Sequence, residues 1–215
     1  VWFKEVITLA ESNNIGWAFW PMKKIDNIAG VTSVSITPEY EKLLEYWKKD
    51  GVKPSLDFAK NALMQIAENY KMENVTVKHD VIDAMFRQIQ TTETKTYKKH
   101  SLPGIVFATE YDLGQNKFAY FDTDIANYDG TQFTPWNKGK VMRNDGVDIE
   151  KCNDTISNGY NVCFIDDSEW LQYTFELNTQ KDFDVAIRYS SQTSGGKLYL
   201  EDESGRISKT ITLPT

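Results

Sequence analysis

The sequence predicts two parts of different fold class, an α/β first part and an all-β second part. Apolar residues recur at helical spacing through about residue 100, and short runs with β-type alternation follow, separated by Gly, Asn and Asp. The chain has 215 residues, of which 40% are apolar and 26% are charged, so it can bury a sizeable core. We therefore expect a multidomain protein of the α/β plus all-β class.

The first part opens with the pattern of a helix followed by a buried strand. An apolar face at spacings of three, four and seven residues predicts a helix that runs to about Asn13. Residues 15–20 then form an apolar run bounded by Asn14 and Pro21, which is typical of a buried strand. Because a helix and a buried strand in succession make an αβ unit, we treat residues 1–36 as one segment.

Three further helices are predicted over residues 37–90. Thr37 is a capping residue followed by Pro at the first helical position, and Gly51 ends that helix. Another helix begins near Ser55 and a third begins at His79, each with an apolar face. The charged residues between these apolar positions fit a solvated surface, so the segment is interpreted as a helical extension.

The second part follows a predicted linker. Residues 91–101 are polar and rich in threonine, without an apolar period, and this composition favours a linker. Short β-type runs then recur through residues 102–215, and residues 170–175 and 184–189 alternate with a period of two. Many short strands at this spacing predict a β-sandwich.

Charge and composition exclude several classes of partner. The 24 basic and 31 acidic residues give a net charge of −7, which argues against nucleic-acid binding. No apolar run approaches the roughly 18–20 residues of a membrane span. His79 and His100 lack the spacing of zinc ligands, so we expect no metal site of that kind. Cys152 and Cys163 either pair or remain free thiols, and the sequence leaves both open.

Four segments of the second part carry a family resemblance. They are Leu102-Pro103-Gly104 through Asp112, AYFDTDIAN at 119–127, DGVDIE at 145–150, and GYNVCFI with EWLQY between residues 159 and 173. In this order they resemble the family 6 carbohydrate-binding modules. The resemblance implies a jelly-roll β-sandwich over residues 102–215 that binds β-glucans, xylans or related polymers, with its last loops lying beyond Thr215.

The same resemblance implies binding residues and a structural calcium. Glu150 matches the acidic residue of the family's sugar cleft and Phe164 matches an aromatic residue there, while a turn carboxylate and a core ring are the alternative interpretations. The family's two calcium-binding carboxylates match Phe107 and Thr109 here, and neither replaces a carboxylate ligand well. A structural calcium is thus implied by the family and disfavoured by these residues, and no catalytic cofactor is expected.

A second resemblance concerns residues 12–24, from Ser12 to Lys24. This segment resembles the last strand of the (β/α)8 barrel of family 5 glycoside hydrolases, which are cellulase-like enzymes. The resemblance implies that residues 1–36 end such a barrel and that Trp20 stacks on the substrate, with core packing as the alternative. It also implies retaining hydrolysis by two glutamates. Their matching positions lie before Val1, so this chain holds no catalytic residue.

Together the two resemblances predict part of a secreted glycoside hydrolase. Its substrate would be a β-linked plant-type polysaccharide such as β-glucan or cellulose, xylan or mannan, which the β-sandwich would hold. The alternative is a non-catalytic carbohydrate-binding or scaffold protein. Because polysaccharides do not enter cells, either form is expected outside the cell or on its surface.

Overall fold

The computed structural model describes residues 2–87, 90–124, 137–138, 141–177 and 182–214. Over these residues the α-helices all lie before residue 90. They are α1 (Trp2–Ser12), α2 (Pro38–Trp47), α3 (Leu56–Asn69) and α4 (His79–Phe86). The strands are two or three residues long. They are β1 (Lys23–Ile25), β2 (Thr32–Val34), β3 (Thr76–Val77), β4 (Tyr120–Phe121), β5 (Ile149–Lys151), β6 (Tyr160–Val162), β7 (Trp170–Leu171), β8 (Lys197–Leu198) and β9 (Ile211–Thr212).

The predicted helices are confirmed, and two of them begin directly after Thr37 and Ser55, where the sequence predicted their starts. Thr37 precedes α2, and its hydroxyl accepts a hydrogen bond from the Tyr40 backbone N–H (3.2 Å). Ser55 precedes α3 and accepts from the Phe58 N–H in the same way (3.2 Å). Helices α2 and α3 pack against each other, and Leu43 of α2 is buried. These caps define where both helices start.

The buried strand predicted over residues 15–20 is wrong. The structure forms no strand there, and this segment is a loop between α1 and β1. Ile15 is 60% exposed and Trp20 is 90% exposed, while Phe19 is half-buried against Phe3 of α1, so the run is covered only in part. A short apolar run indicates burial only when other elements pack on it, and α1 packs on α4 instead. The described residues therefore give no support for the end of a (β/α)8 barrel.

Strands β1, β2 and β3 form a small mixed sheet in the first part of the chain. Strands β1 and β2 pair in parallel, with Lys23 opposite Thr32, and β2 pairs antiparallel with β3. Val34 and Thr32 are buried on β2, the central strand. The sequence pattern did not predict these three short strands.

Helix α4 is anchored to the β-type part of the chain. At its start, Lys78 Nζ donates to the Met142 carbonyl (3.0 Å), and Asp80 Oδ2 accepts from the Asn144 backbone N–H (2.7 Å). At its end, the buried guanidinium of Arg87 pairs with Asp83 of the same helix and donates to the Leu113 carbonyl (3.4 Å). Both ends of α4 are thus tied down, and the Asp80 bond reaches the segment that leads into β5.

Residues 91–101, predicted as a linker, run beside the β-type residues. Lys95 forms an antiparallel bridge with Leu113, and Gln172 Nε2 donates to Thr94 Oγ1 (3.0 Å). The chain divides into two compact units, one that ends at Leu177 and a second that starts at Asn178. The domain boundaries at residues 36, 90 and 101 remain predictions.

The second part is β-type, as predicted, and its core lies under two small antiparallel sheets. Strand β4 pairs with β7 and strand β5 pairs with β6. The fully buried residues of this core are Tyr111, Ala119, Tyr120, Val147 and Ile149. In the second unit, β8 pairs antiparallel with β9, and Lys197 lies opposite Thr212. Within the described residues no helix is long and apolar enough to span a membrane.

Candidate functional site

The hairpin of β5 and β6 carries Glu150 and places Phe164 just beyond its end. In its register Ile149 lies opposite Val162, and Glu150 lies opposite Asn161. Successive side chains of a strand point to opposite faces, so the buried Ile149 places Glu150 and Asn161 on the outer face. Asn161 Nδ2 donates to Glu150 Oε1 (3.0 Å), which orients the carboxylate and leaves its second oxygen for other donors.

Phe164 follows β6 and presents its ring to solvent. Its φ of 50° is left-handed, a conformation that bulky residues rarely adopt, so the chain turns sharply at this position. The side chain is 58% exposed. The alternative of a core ring is not what the structure shows, because a core ring would be covered.

Lys138 links this ring to two carboxylates. Its ammonium group lies 5.3 Å from the centre of the Phe164 ring, within the range of a cation–π interaction. The same group contacts Asp124 and lies 3.4 Å from Asp148 Oδ2. The hydrogen bond to Asp124 raises the pKa of Lys138 above its usual range, with a smaller contribution from Asp148. Lys138 is therefore a cation held next to Phe164.

Asp148 is the buried member of this group. It is 2% exposed, and its Oδ1 accepts from the Lys138 backbone N–H (2.7 Å). The Asp148 carbonyl accepts from the Cys163 N–H (3.0 Å), which continues the β5–β6 ladder by one pair. Burial, together with the nearby Glu150 and Asp148 carboxylates, raises the pKa of the Cys163 thiol to about 12.

More negative charge lies beside Asp124. The Thr123 backbone N–H and hydroxyl both donate to Glu169 Oε1 (2.9 and 2.8 Å), and the Asp124 N–H donates to Asp122 Oδ1 (2.9 Å). Burial raises the pKa of Asp122 to about 7, and the carboxylates of Glu169, Asp148 and Asp124 act in the same direction. This side of the site is thus rich in carboxylates.

The two cysteines do not pair. Both are free, and the backbone N–H of Cys152 donates to the Gly159 carbonyl (2.9 Å), whereas Cys163 lies opposite Asp148. Four residues separate these positions along the β6 side, or about 13 Å at 3.3 Å per residue. A disulfide needs Cα atoms closer than about 7 Å. The sequence left this question open, and the hairpin register decides it.

The positions that match the family's calcium ligands do not fit a calcium ion. Phe107 offers no side-chain oxygen, and the Thr109 hydroxyl already accepts from Asn158 Nδ2 (3.0 Å). The Thr109 carbonyl faces the guanidinium of the fully buried Arg143 (3.4 Å), and a cation at that position repels a second one. Among the described residues, no group of three or more acidic, histidine or cysteine side chains could hold a metal. The residues at these two positions therefore do not favour a calcium ion.

Of the three predicted binding residues, two lie on or just after the same hairpin. Glu150 and Phe164 flank one hairpin, whereas Trp20 lies in the loop between α1 and β1. Lys138 and Asn161 were missed by the sequence analysis. Asn161 could have been found from the hairpin register as the partner of Glu150, but Lys138 lies 26 residues from Phe164 and no pattern connects them.

Comparison with known families adds one finding. Residues 140–215 match the model of the carbohydrate binding module family 6. The match includes Glu150 and Phe164 but not residues 12–24, which carry the resemblance to glycoside hydrolases. No curated protein and no solved structure matches the chain. The family match therefore supports a carbohydrate-binding module over residues 140–215.

Proposed function

We propose that the β5–β6 hairpin binds a β-linked polysaccharide, such as β-glucan, xylan or mannan. The observation that carries the proposal is the exposed ring of Phe164 just after the hairpin that carries the Glu150–Asn161 pair, within the residues that match the family. A sugar ring has an apolar face that stacks on an aromatic ring, and hydroxyl groups at its edge. The Glu150 carboxylate accepts hydrogen bonds from such hydroxyls, and the Asn161 amide both donates and accepts.

Retention on immobilised polymers tests this proposal. The chain is run in gels that contain β-glucan, xylan or mannan, with Phe164→Ala beside it. We expect retardation on at least one polymer and a loss of affinity of roughly 30-fold in the variant, which corresponds to the removal of an aromatic anchor worth about 2 kcal/mol.

The matched control is Phe86→Ala, because Phe86 of α4 is an exposed phenylalanine outside the hairpin. Its retention should equal that of the parent chain. If folded protein passes all three polymers without delay, or if both variants lose affinity equally, the hairpin is not a sugar-binding site.

We further propose that this module occurs together with a glycoside hydrolase in a longer, secreted or surface-bound protein. What favours it is the resemblance of residues 12–24 to those enzymes. The chain itself should release no reducing sugar, because it lacks the two implied glutamates. The longer protein should release reducing sugar from the polymer that the module retains. If the longer protein binds without hydrolysis, the non-catalytic alternative is correct.

A further inference from the structure

We propose that Lys138 and its carboxylate partners determine specificity, by excluding glycans that carry acidic groups. This inference rests on the proposed function, since it names the ligands that the same site rejects. A uronic acid or a sulfated sugar places a negative charge where a neutral sugar has only hydroxyls. The proposal is that the site repels this charge.

The first step is the balance of charge around Phe164. Asp124 and Asp148 contact Lys138, and Glu150, two residues after Asp148, is close enough to act with Asp148 and Lys138 on the Cys163 thiol. These three carboxylates and one ammonium group together carry a net charge of about −2 at neutral pH. Asp122 and Glu169 lie behind Asp124 and make the same region more negative.

The ammonium group of Lys138 already has carboxylate partners within the protein. A lysine that recognises a uronate needs a free ammonium group, with donors directed at the ligand. Here that group contacts two carboxylates and also lies over the Phe164 ring. These two carboxylates take two of its three N–H donors, so a ligand carboxylate would meet at most one donor next to two negative charges, of which Asp148 is buried. Lys138 therefore neutralises the site in part and does not attract anions to it.

Neutral and acidic glycans present different groups to these carboxylates. Hydroxyl groups donate to carboxylates such as Glu150, whereas an ionised uronate has only acceptors and meets repulsion. For a uronate at roughly 8 Å from a net charge of −2 in water, Coulomb's law gives about sixfold weaker binding. Each unit of negative charge added to or removed from the site changes the ratio of the neutral to the acidic glycan's affinity about 2.4-fold.

The test compares polymers with the same backbone and different charge. The full chain is titrated with hydroxyethyl cellulose and carboxymethyl cellulose, and with arabinoxylan and glucuronoxylan. At about 10 mM salt we expect the neutral member of a bound pair to bind about sixfold more tightly than the acidic one. At about 1 M salt, where the screening length is about 3 Å, the two should bind alike.

Two variants change the charge in opposite directions while Glu150 and Phe164 stay in place. Asp124→Asn leaves a net charge of about −1 and should reduce the preference to about twofold. Lys138→Met leaves about −3 and should increase it to about 14-fold. The measured quantity is the ratio of two affinities for one protein, so a change in stacking on Phe164 cancels. If one variant fails to fold, the other still tests the sign.

The outcomes separate the two proposals. If neutral polymers bind and acidic ones bind equally well or better, the electrostatic inference is wrong and the proposed function stands. A ratio that both variants leave unchanged would also overturn the inference. If no neutral polymer binds, the proposed function is wrong and the inference fails with it.

Discussion

Replacing Arg87 with methionine is expected to destabilise the protein by about 3 kcal/mol. Arg87 lies at the end of α4, and its side chain is 1% exposed, while that of its partner Asp83 is 6% exposed. The guanidinium meets both oxygens of that carboxylate, at 2.5 and 2.9 Å, and also donates to the backbone carbonyl of Glu93. Methionine keeps the apolar contacts of the side chain and removes every donor.

The magnitude depends on the charge that the substitution leaves behind. Removing one partner of a buried ion pair typically costs about 3–5 kcal/mol, because the other charge stays buried without compensation. Lys4 lines the same small cavity as Asp83 and offsets part of that charge, so we take the lower end of this range. With a urea dependence of about 2 kcal/mol per M, the unfolding midpoint should fall by about 1.5 M.

Urea unfolding followed by circular dichroism and tryptophan fluorescence measures this midpoint. The double variant Asp83→Asn with Arg87→Met is the control, because it removes the uncompensated charge together with its partner. It should recover most of the lost stability. If Arg87→Met loses less than about 1 kcal/mol, or if the double variant is no more stable than the single one, the pair is not the buried ion pair described here.

Two further predictions concern Asp122 and the cysteines. Because the folded protein holds the Asp122 proton more tightly than the unfolded chain does, the free energy of unfolding falls as the pH rises from about 4 to about 7. Asp122→Asn should therefore raise the thermal midpoint at pH 8 and leave it nearly unchanged at pH 4; equal changes at both pH values would contradict this. In the absence of reductant, iodoacetamide at pH 8 should modify Cys163 slowly, since its thiol has a raised pKa, and rapidly after denaturation. Mass spectrometry should find no peptide that links Cys152 to Cys163, and finding one would refute the hairpin register.

The helices were predictable because their signals are local. Thr37 and Ser55 cap α2 and α3 by bonds to backbone three residues away, which the sequence shows directly. The run at residues 15–20 was misjudged for the opposite reason. Whether an apolar run is fully covered depends on elements far along the chain, and here Ile15 and Trp20 stay exposed while Phe19 is half-buried.

Some residues of the candidate site could be predicted from the sequence and others could not. Glu150 and Phe164 were named from a resemblance, and the hairpin register then gave Asn161 as a neighbour. Lys138 could not be named, because its contacts with Asp124 and Asp148 join positions 10 to 14 residues apart without any periodic pattern. Ion pairs of this kind are set by how loops meet, and composition does not encode that.

The anchoring of α4 has a mechanical consequence. If the β5–β6 hairpin binds a long polymer as proposed, the polymer pulls on this hairpin, and the chain just before β5 is bonded to Asp80. Tension applied by the polymer is therefore transmitted through Asn144 into a helix, and from there to α1, which packs on it. Motion of the β5–β6 hairpin is therefore coupled to motion of α4 through the Asn144–Asp80 hydrogen bond.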